Sequence, residues 1–336
     1  MGLTARNLMA VFGAVYEVDL PRDTWLRGVL EAMAVTLTSG QRVSGVLYDL
    51  SGKAGELCLE AIEGIGFAPA WFEMGIEMHR DPRLVPAIAA GYRSTLCATL
   101  PDLRSFFPRA ARTARRDYHS SFNIGSQTAI NGLDCSGKGC CLYIFSKNAA
   151  PLSPSRREMF TQIATHLATG YRLQRRLTHQ EGPVTAPIEA VLKPSGDLED
   201  VKAPAQTAPA RELLRHAVRT RESNRRCTDA DPVDVVEKWR GLIAARWTLV
   251  DRYERDGRRY VLARENAPAP RGPATLSTRE QQVAALAALG RSNKLISYEL
   301  GLAHSTVRVL ISRACAKLAV TSGTELVSRL ALTPPM

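Results

Sequence analysis

Residues 304–320 read HSTVRVLISRACAKLAV. On a helical period Val307, Ile311, Ala314 and Leu318 fall on one narrow face, the spacing of an amphipathic helix. The other side carries Ser305, Thr306, Arg308, Val309, Ser312, Arg313 and Ala316. These residues are small or basic, and none is acidic. A helix that only meets water usually mixes both signs of charge. The acid-free face therefore asks for a partner.

The residues before it supply the context. Ser277 is placed to cap a helix over about 278–289, with Val283, Leu286 and Leu289 facing inward and Gly290 as its stop. A second helix starts near Ser292-Asn293 and carries Ile296 and Leu300. Gly301 then makes the turn into 304–320, and Ser322-Gly323-Thr324 caps a short fourth helix with Leu326 and Leu330 inward. Two short helices joined by a glycine turn predict a helix-turn-helix. Its second helix enters the DNA major groove, where acids would face phosphates. Within 271–331 the bases are Arg271, Arg279, Arg291, Lys294, Arg308, Arg313, Lys317 and Arg329. The acids are Glu280, Glu299 and Glu325, so this segment holds +5 of the chain's net +11.

This block closely resembles the LuxR-type helix-turn-helix domain of bacterial transcription regulators. The matching residues are Leu276, Arg279-Glu280, Val283, Gly290, Ser292-Asn293-Lys294, Ile296, Leu300-Gly301, Thr306-Val307, Arg308, Lys317-Leu318, Val320 and Thr324-Glu325-Leu326. The chain departs from the family at Gln282, where a second glutamate is frequent. It also has Ala303 in place of a capping serine and Leu310 in place of a histidine. The resemblance implies double-stranded DNA as partner. Arg308, Ser312 and Arg313 are the candidates for base edges, and Val309 for a thymine methyl. Ser292, Lys294, Ser305, Thr306 and Lys317 complete the candidate surface, with the lysines and Ser292 and Thr306 suited to phosphates.

Two proline-rich stretches, THQEGPVTAP (178–187) and ENAPAPRGPATLS (265–277), divide the chain of 336 residues. The expected domains are 1–180, 185–267 and 271–336. In the first, WLRGVLEAMAVTL reads as a helix. RVSGVLYDLSG, GELCLEAIEG, SSFNIGSQTAINGLD and GKGCCLYIFSK read as strands, and LSPSRREMFTQIATHLATGYRLQRRL as a helix capped by Ser153 with Pro154 at its first position. This order resembles a GAF domain, without the cyclic-nucleotide signature. In the second, AVLKPSGDLEDVKAPA and the pair of runs around Asp256-Gly257 predict hairpins. Their order is similar to the opening and closing strands of a PAS domain. The fold class expected is thus α+β sensory domains, antiparallel sheets with flanking helices, followed by an all-α four-helix DNA-binding domain.

The rest of the sequence narrows the function. Seven scattered cysteines make no disulfide framework and fit a reducing, cytoplasmic setting. No apolar run is long enough for a membrane span. Cys135, Cys140 and Cys141 lack zinc spacing, and Cys140 and Cys141 should point to opposite faces of a strand. His79, His119, His166 and His179 show no ligand spacing. Neither a catalytic constellation nor a cofactor site emerges, so an enzyme is not expected. Arg104, Arg109, Arg112, Arg115 and Arg116 read as a solvated helix face. The segment APAWFEMGIEMHRDPRL (68–84) is loosely similar to the autoinducer-binding domain of acyl-homoserine-lactone receptors, though the other aromatic positions of that domain are not evident.

These readings combine into a homodimeric transcription regulator, with a small-molecule or protein signal at the GAF-like domain and RNA polymerase as a further partner. Helix 154–177 and the fourth helix of the last domain are the candidate dimer surfaces. The competing reading is a signalling interaction protein whose helical tail does not bind DNA productively.

Overall fold

The computed structural model describes residues 5–35, 41–52, 56–147, 151–178, 187–203, 205–226, 247–253, 258–266, 276–322, 325–326 and 330. Two antiparallel sheets with flanking helices precede a helical domain, as expected. The first sheet uses β1 (Arg42–Asp49), β2 (Cys58–Ile65), β3 (Cys97–Thr99), β4 (Ser126–Leu133) and β5 (Lys138–Ser146) in the order β2-β1-β5-β4-β3. The β4–β5 register pairs Ile130 with Leu142 and Leu133 with Gly139 across the Ser-Gly-Lys-Gly turn.

Alternate residues of these strands serve different layers, because strand side chains alternate between faces. On one face Val43, Leu47, Ile130, Cys140, Leu142 and Ile144 pack against α1 (Ala5–Val15), α2 (Arg22–Ala34) and α7 (Pro154–Thr178). On the other, Val46, Tyr48, Ala129, Leu133 and Cys141 meet residues of α4 (Val85–Ser94) and α5 (Leu100–Leu103), while α3 (Pro69–Arg80) and α6 (Arg109–Ser121) cover Phe145. Cys140 and Cys141 lie in different clusters, as their strand positions require. The close approach of α7 to the sheet depends on Gly132. A Cβ there would meet the Ala164 carbonyl at 2.5 Å and the Ala168 nitrogen at 2.6 Å.

The expected apolar stripe of α7, Phe160, Ile163, Leu167 and Tyr171, is fully in the core. The helix is enclosed well beyond that stripe. His166, Thr165, Thr169, Arg172 and Gln174 are buried as well. Helix 154–177 therefore cannot present its middle as a dimer surface, which corrects that expectation. The second block and the helical domain cover its far side.

That second block forms a four-stranded sheet in the order β7-β6-β9-β8. It comprises β6 (Ile188–Leu192), β7 (Leu198–Val201), β8 (Trp247–Tyr253) and β9 (Arg259–Glu265). The β8–β9 hairpin pairs Trp247 with Glu265 through to Tyr253 with Arg259. Its Asp256-Gly257 turn, and most of both proline-rich stretches, lie outside the described residues. Between the hairpins runs α8 (Ala208–Arg226), which the sequence marks poorly. Leu214, Val218 and Arg221 turn inward at helical spacing. The block shares its core with the first: Ala190, Leu192, Leu249 and Val261 join the cluster of α1, α2 and α7. Asn266 fastens the seam. It accepts from the Arg172 guanidinium at 3.1 Å and donates to the Thr169 carbonyl at 3.0 Å.

Candidate nucleic-acid interface and ligand cavity

The helical domain begins with α9 (Thr278–Ala288). Ser277 caps it, and Glu280 returns the bond at 2.8 Å to the Ser277 amide, a complete capping box. Glu280 also takes the Lys317 ammonium at 2.7 Å. That bond, with the Ser277 amide bond, holds the Glu280 carboxyl down at about 2. Ser292 caps α10 (Asn293–Leu300) by accepting from the Leu295 amide. Gly301 follows at φ 63°, the left-handed region that lacks a penalty only without a side chain. Then α11 (His304–Lys317) starts at Ala303, which makes no side-chain cap, as its identity foretold. The cores are Val283, Leu286, Ile296, Leu300 and Val307 on one side and Leu276, Ala284, Ala314, Val320 and Leu326 on the other. Of the expected fourth helix, only positions 325, 326 and 330 are described, with Leu326 buried.

The nine residues singled out in the sequence are all exposed: Ser292, Lys294, Ser305, Thr306, Arg308, Val309, Ser312, Arg313 and Lys317. Val307 and Ala314 are buried beneath α11, so Arg308, Val309, Ser312 and Arg313 form its outer face. Val309 is 48 % exposed, an apolar side chain among basic and hydroxyl groups. Two of the nine already hold acids. Lys317 is tied to Glu280 within the domain, and Lys294 pairs with Glu158 of α7 at 2.7 Å.

The domain docks on the first block through α9 and α10, leaving the outer face of α11 free. The Tyr298 hydroxyl bonds His166 Nε2 at 2.9 Å, and Tyr16 bonds His166 Nδ1 at 2.8 Å. Burial pushes His166 down to about 3, so its ring is neutral and bridges the two tyrosines as one donor and one acceptor. Arg291 donates to the Leu133 carbonyl at 3.1 Å, and Cys135 packs into the helical domain's core.

The second candidate site lies inside the first block. A cavity of about 90 Å³ separates the sheet from its outer helices. Its floor is every other residue of three strands, joined by Ile62 of β2: Ser44 and Val46; Gln127, Ala129 and Asn131; Cys141, Tyr143 and Phe145. Its roof is helical: Trp71, Gly75 and Met78-His79 from α3; Ala87-Ile88 and Gly91-Tyr92 from α4; Leu103 from α5; Arg115 and Tyr118-His119 from α6. Those intervals of three and four residues are the signal by which the sequence carried the site.

Most polar groups of the lining satisfy one another. His79 Nδ1–H must donate to the Gly75 carbonyl at 2.7 Å, because a carbonyl only accepts. Nε2 therefore accepts from the Tyr92 hydroxyl at 2.9 Å, and Tyr143 donates to Tyr92 at 2.7 Å. Tyr48 donates to Asn131 at 2.5 Å, and Asn131 donates to the Tyr92 carbonyl at 2.7 Å. Burial lowers both histidines, His119 to about 4, where the neighbouring Arg115 charge adds to the effect. Trp71 stands in an aromatic box, stacked on Phe67 at 4.1 Å and edge-on to Phe122 and Phe145. Of the arginine run, Arg104, Arg109, Arg112 and Arg116 are exposed as expected. Arg115 is not; it is 8 % exposed, over the Phe107 ring at 4.6 Å, which corrects the solvated-face reading there.

Residues 274–330 match the model of bacterial regulatory proteins of the luxR family. The chain thus carries a luxR-type helix-turn-helix domain, the domain of a DNA-binding transcription regulator. Comparison with curated proteins gives no match. Among solved structures, Escherichia coli SdiA aligns over 94 % of this chain and 92 % of its own, at 10 % identity and a TM-score of 0.34. SdiA in complex with octanoyl-rac-glycerol aligns over 97 % and 93 %, at 10 % identity and a TM-score of 0.35. No helix among the described residues is long and apolar enough to cross a membrane.

Proposed function

We propose that this chain is a sequence-specific transcription regulator in which the first block, residues 1–180, receives a small-molecule signal and the domain at 271–336 reads DNA. The GAF-like first block and the PAS-like block at 185–267 act together as the sensory part. The reading rests on the outer face of α11, where Arg308, Val309, Ser312 and Arg313 are exposed and no acid intervenes. Arg308, Ser312 and Arg313 contact base edges, and Val309 a thymine methyl. Ser292, Lys294, Thr306 and Lys317 contact phosphates and set the register, and Ser305 completes that surface. A homodimer would place two such helices in successive major grooves, with half-sites about 34–36 Å apart.

Selection of the full chain on a random DNA pool, repeated across salt concentrations, tests this. The expected result is an inverted repeat bound with affinity that falls steeply with salt. Arg308→Ala or Arg313→Ala should each cost about 1–3 kcal/mol of binding to that site and relax its sequence preference. Weak binding without preference, unchanged in both variants, would instead favour an interaction protein.

A further inference from the structure

The cavity contains a charge without a counter-charge. Arg115 enters from α6 and is 8 % exposed. Its Nη2 is buried without a hydrogen-bond partner. Neither Asp nor Glu is among the described residues that line the cavity. The Phe107 ring face supplies only a quadrupole, and the nearby His119 is neutral at ordinary pH. A buried guanidinium so placed is expensive unless something anionic reaches it.

A second observation points the same way. The other unpaired buried polar atom in the lining is Trp71 Nε1, again an N–H donor. Both groups thus ask for acceptors, while Tyr92, Tyr143, His79 and Asn131 of the lining are committed to bonds within the protein. The surrounding walls are apolar and aromatic, including Phe107, Tyr118 and Phe145. The volume, about 90 Å³, is several times the ~10–15 Å³ that one water needs by the same kind of measure.

We propose that the signal of the first block is a small organic acid, its carboxylate held by the Arg115 guanidinium and its apolar body between the aromatic walls. This rests on the reading of the cavity as the signal site and specifies the ligand's charge. A carboxylate matches the planar fork of a guanidinium and neutralises it where solvent cannot. A neutral lactone, ester or amide would fill the same space and leave the charge unpaired.

The test is calorimetric titration of the intact chain, without DNA, with acetate, benzoate and phenylacetate, each against its primary amide. These probes differ in size along the series and in charge within each pair. The expected result is millimolar or tighter binding of at least one acid, with its amide about tenfold or more weaker, as loss of a charged hydrogen bond implies. Arg115→Met should abolish that discrimination, and Arg115→Lys should keep part of it. If Arg115→Met fails to fold, the acid-to-amide ratio of the unaltered chain and of Arg115→Lys decides alone. Amides binding as tightly as acids, discrimination surviving in Arg115→Met, or no acid binding at millimolar concentration would each overturn the proposal. Binding of an acid that leaves DNA affinity unchanged would sink the control of DNA reading and leave the carboxylate site standing.

Discussion

The two faces of the five-stranded sheet are built from the same strands and do opposite things. Toward α1, α2 and α7 the strands present Val43, Leu47, Ile130, Leu142 and Ile144, and the layer is solid. Toward α3, α4 and α6 they present Ser44, Gln127, Asn131 and Tyr143, and the layer encloses a cavity. One residue's shift along a strand separates the two roles. The lesson is that a half-polar sheet face under helices leaves room where an apolar one fills it. Its hydroxyl and amide groups would be a burden in a packed core and become useful where a ligand or a bonded network meets them.

The comparison can be broken most forcefully from the solid side. Leu142→Ala should lose about 2–5 kcal/mol of unfolding free energy in denaturant titration, because Leu142 is fully buried among core side chains and its removal leaves a cavity. A loss under ~1 kcal/mol would show that the two faces are packed alike. The cavity side should respond with the opposite sign. Arg115→Met, measured without ligand, should raise stability by about 1–3 kcal/mol, since it replaces a buried unpaired charge by an apolar chain of similar length.

Smaller effects belong to the helical domain, where the Lys317–Glu280 and Lys294–Glu158 pairs reach solvent through their lysines. Glu280 has its proton affinity depressed by Lys317 and the Ser277 amide, to about 2. Its contribution is complete above the ordinary glutamate range near 4.5 and is lost as pH falls toward 2. The thermal midpoint of Glu280→Gln should therefore lie below that of the parent at neutral pH and converge with it in acid. Least of all, Lys294→Ala should change stability by at most about 1 kcal/mol, because its pair with Glu158 is solvent-exposed on both sides. A larger loss would mean that this pair, rather than Tyr298 and His166, fastens α10 to the first block.

The helical domain was legible because its signals are local. Ser277, Ser292 and Gly301 act within a turn of where they stand, and the stripe of α11 needs only its own 14 residues. The strands and their hairpins were legible for the same reason. The cavity was not, since it is assembled from residues 44 to 145 on four helices, four strands and the segments between them. Trp71 stands in the segment 68–84, which carries a resemblance of its own, but Arg115 is hidden among four exposed arginines. Only its spacing from Tyr118, His119 and Phe122 distinguishes it, a stripe of mixed chemistry that a hydrophobic ruler passes over. The enclosure of α7 was unreadable in principle, because its second and third covering surfaces come from later blocks of the chain.

The aromatic box around Trp71 makes cavity occupancy an optical event. Its indole lies in the cavity wall within 5.1 Å, centre to centre, of Phe67, Tyr118, Phe122 and Phe145, with its N–H unbonded. Trp25 and Trp247 sit in the solid core instead, each already donating to a fixed acceptor. A molecule entering the cavity therefore changes the polarity and quenching around Trp71 and leaves those two fluorophores as a steady background. Binding in the cavity would then be read in the ultraviolet, with Trp71→Phe as the blank.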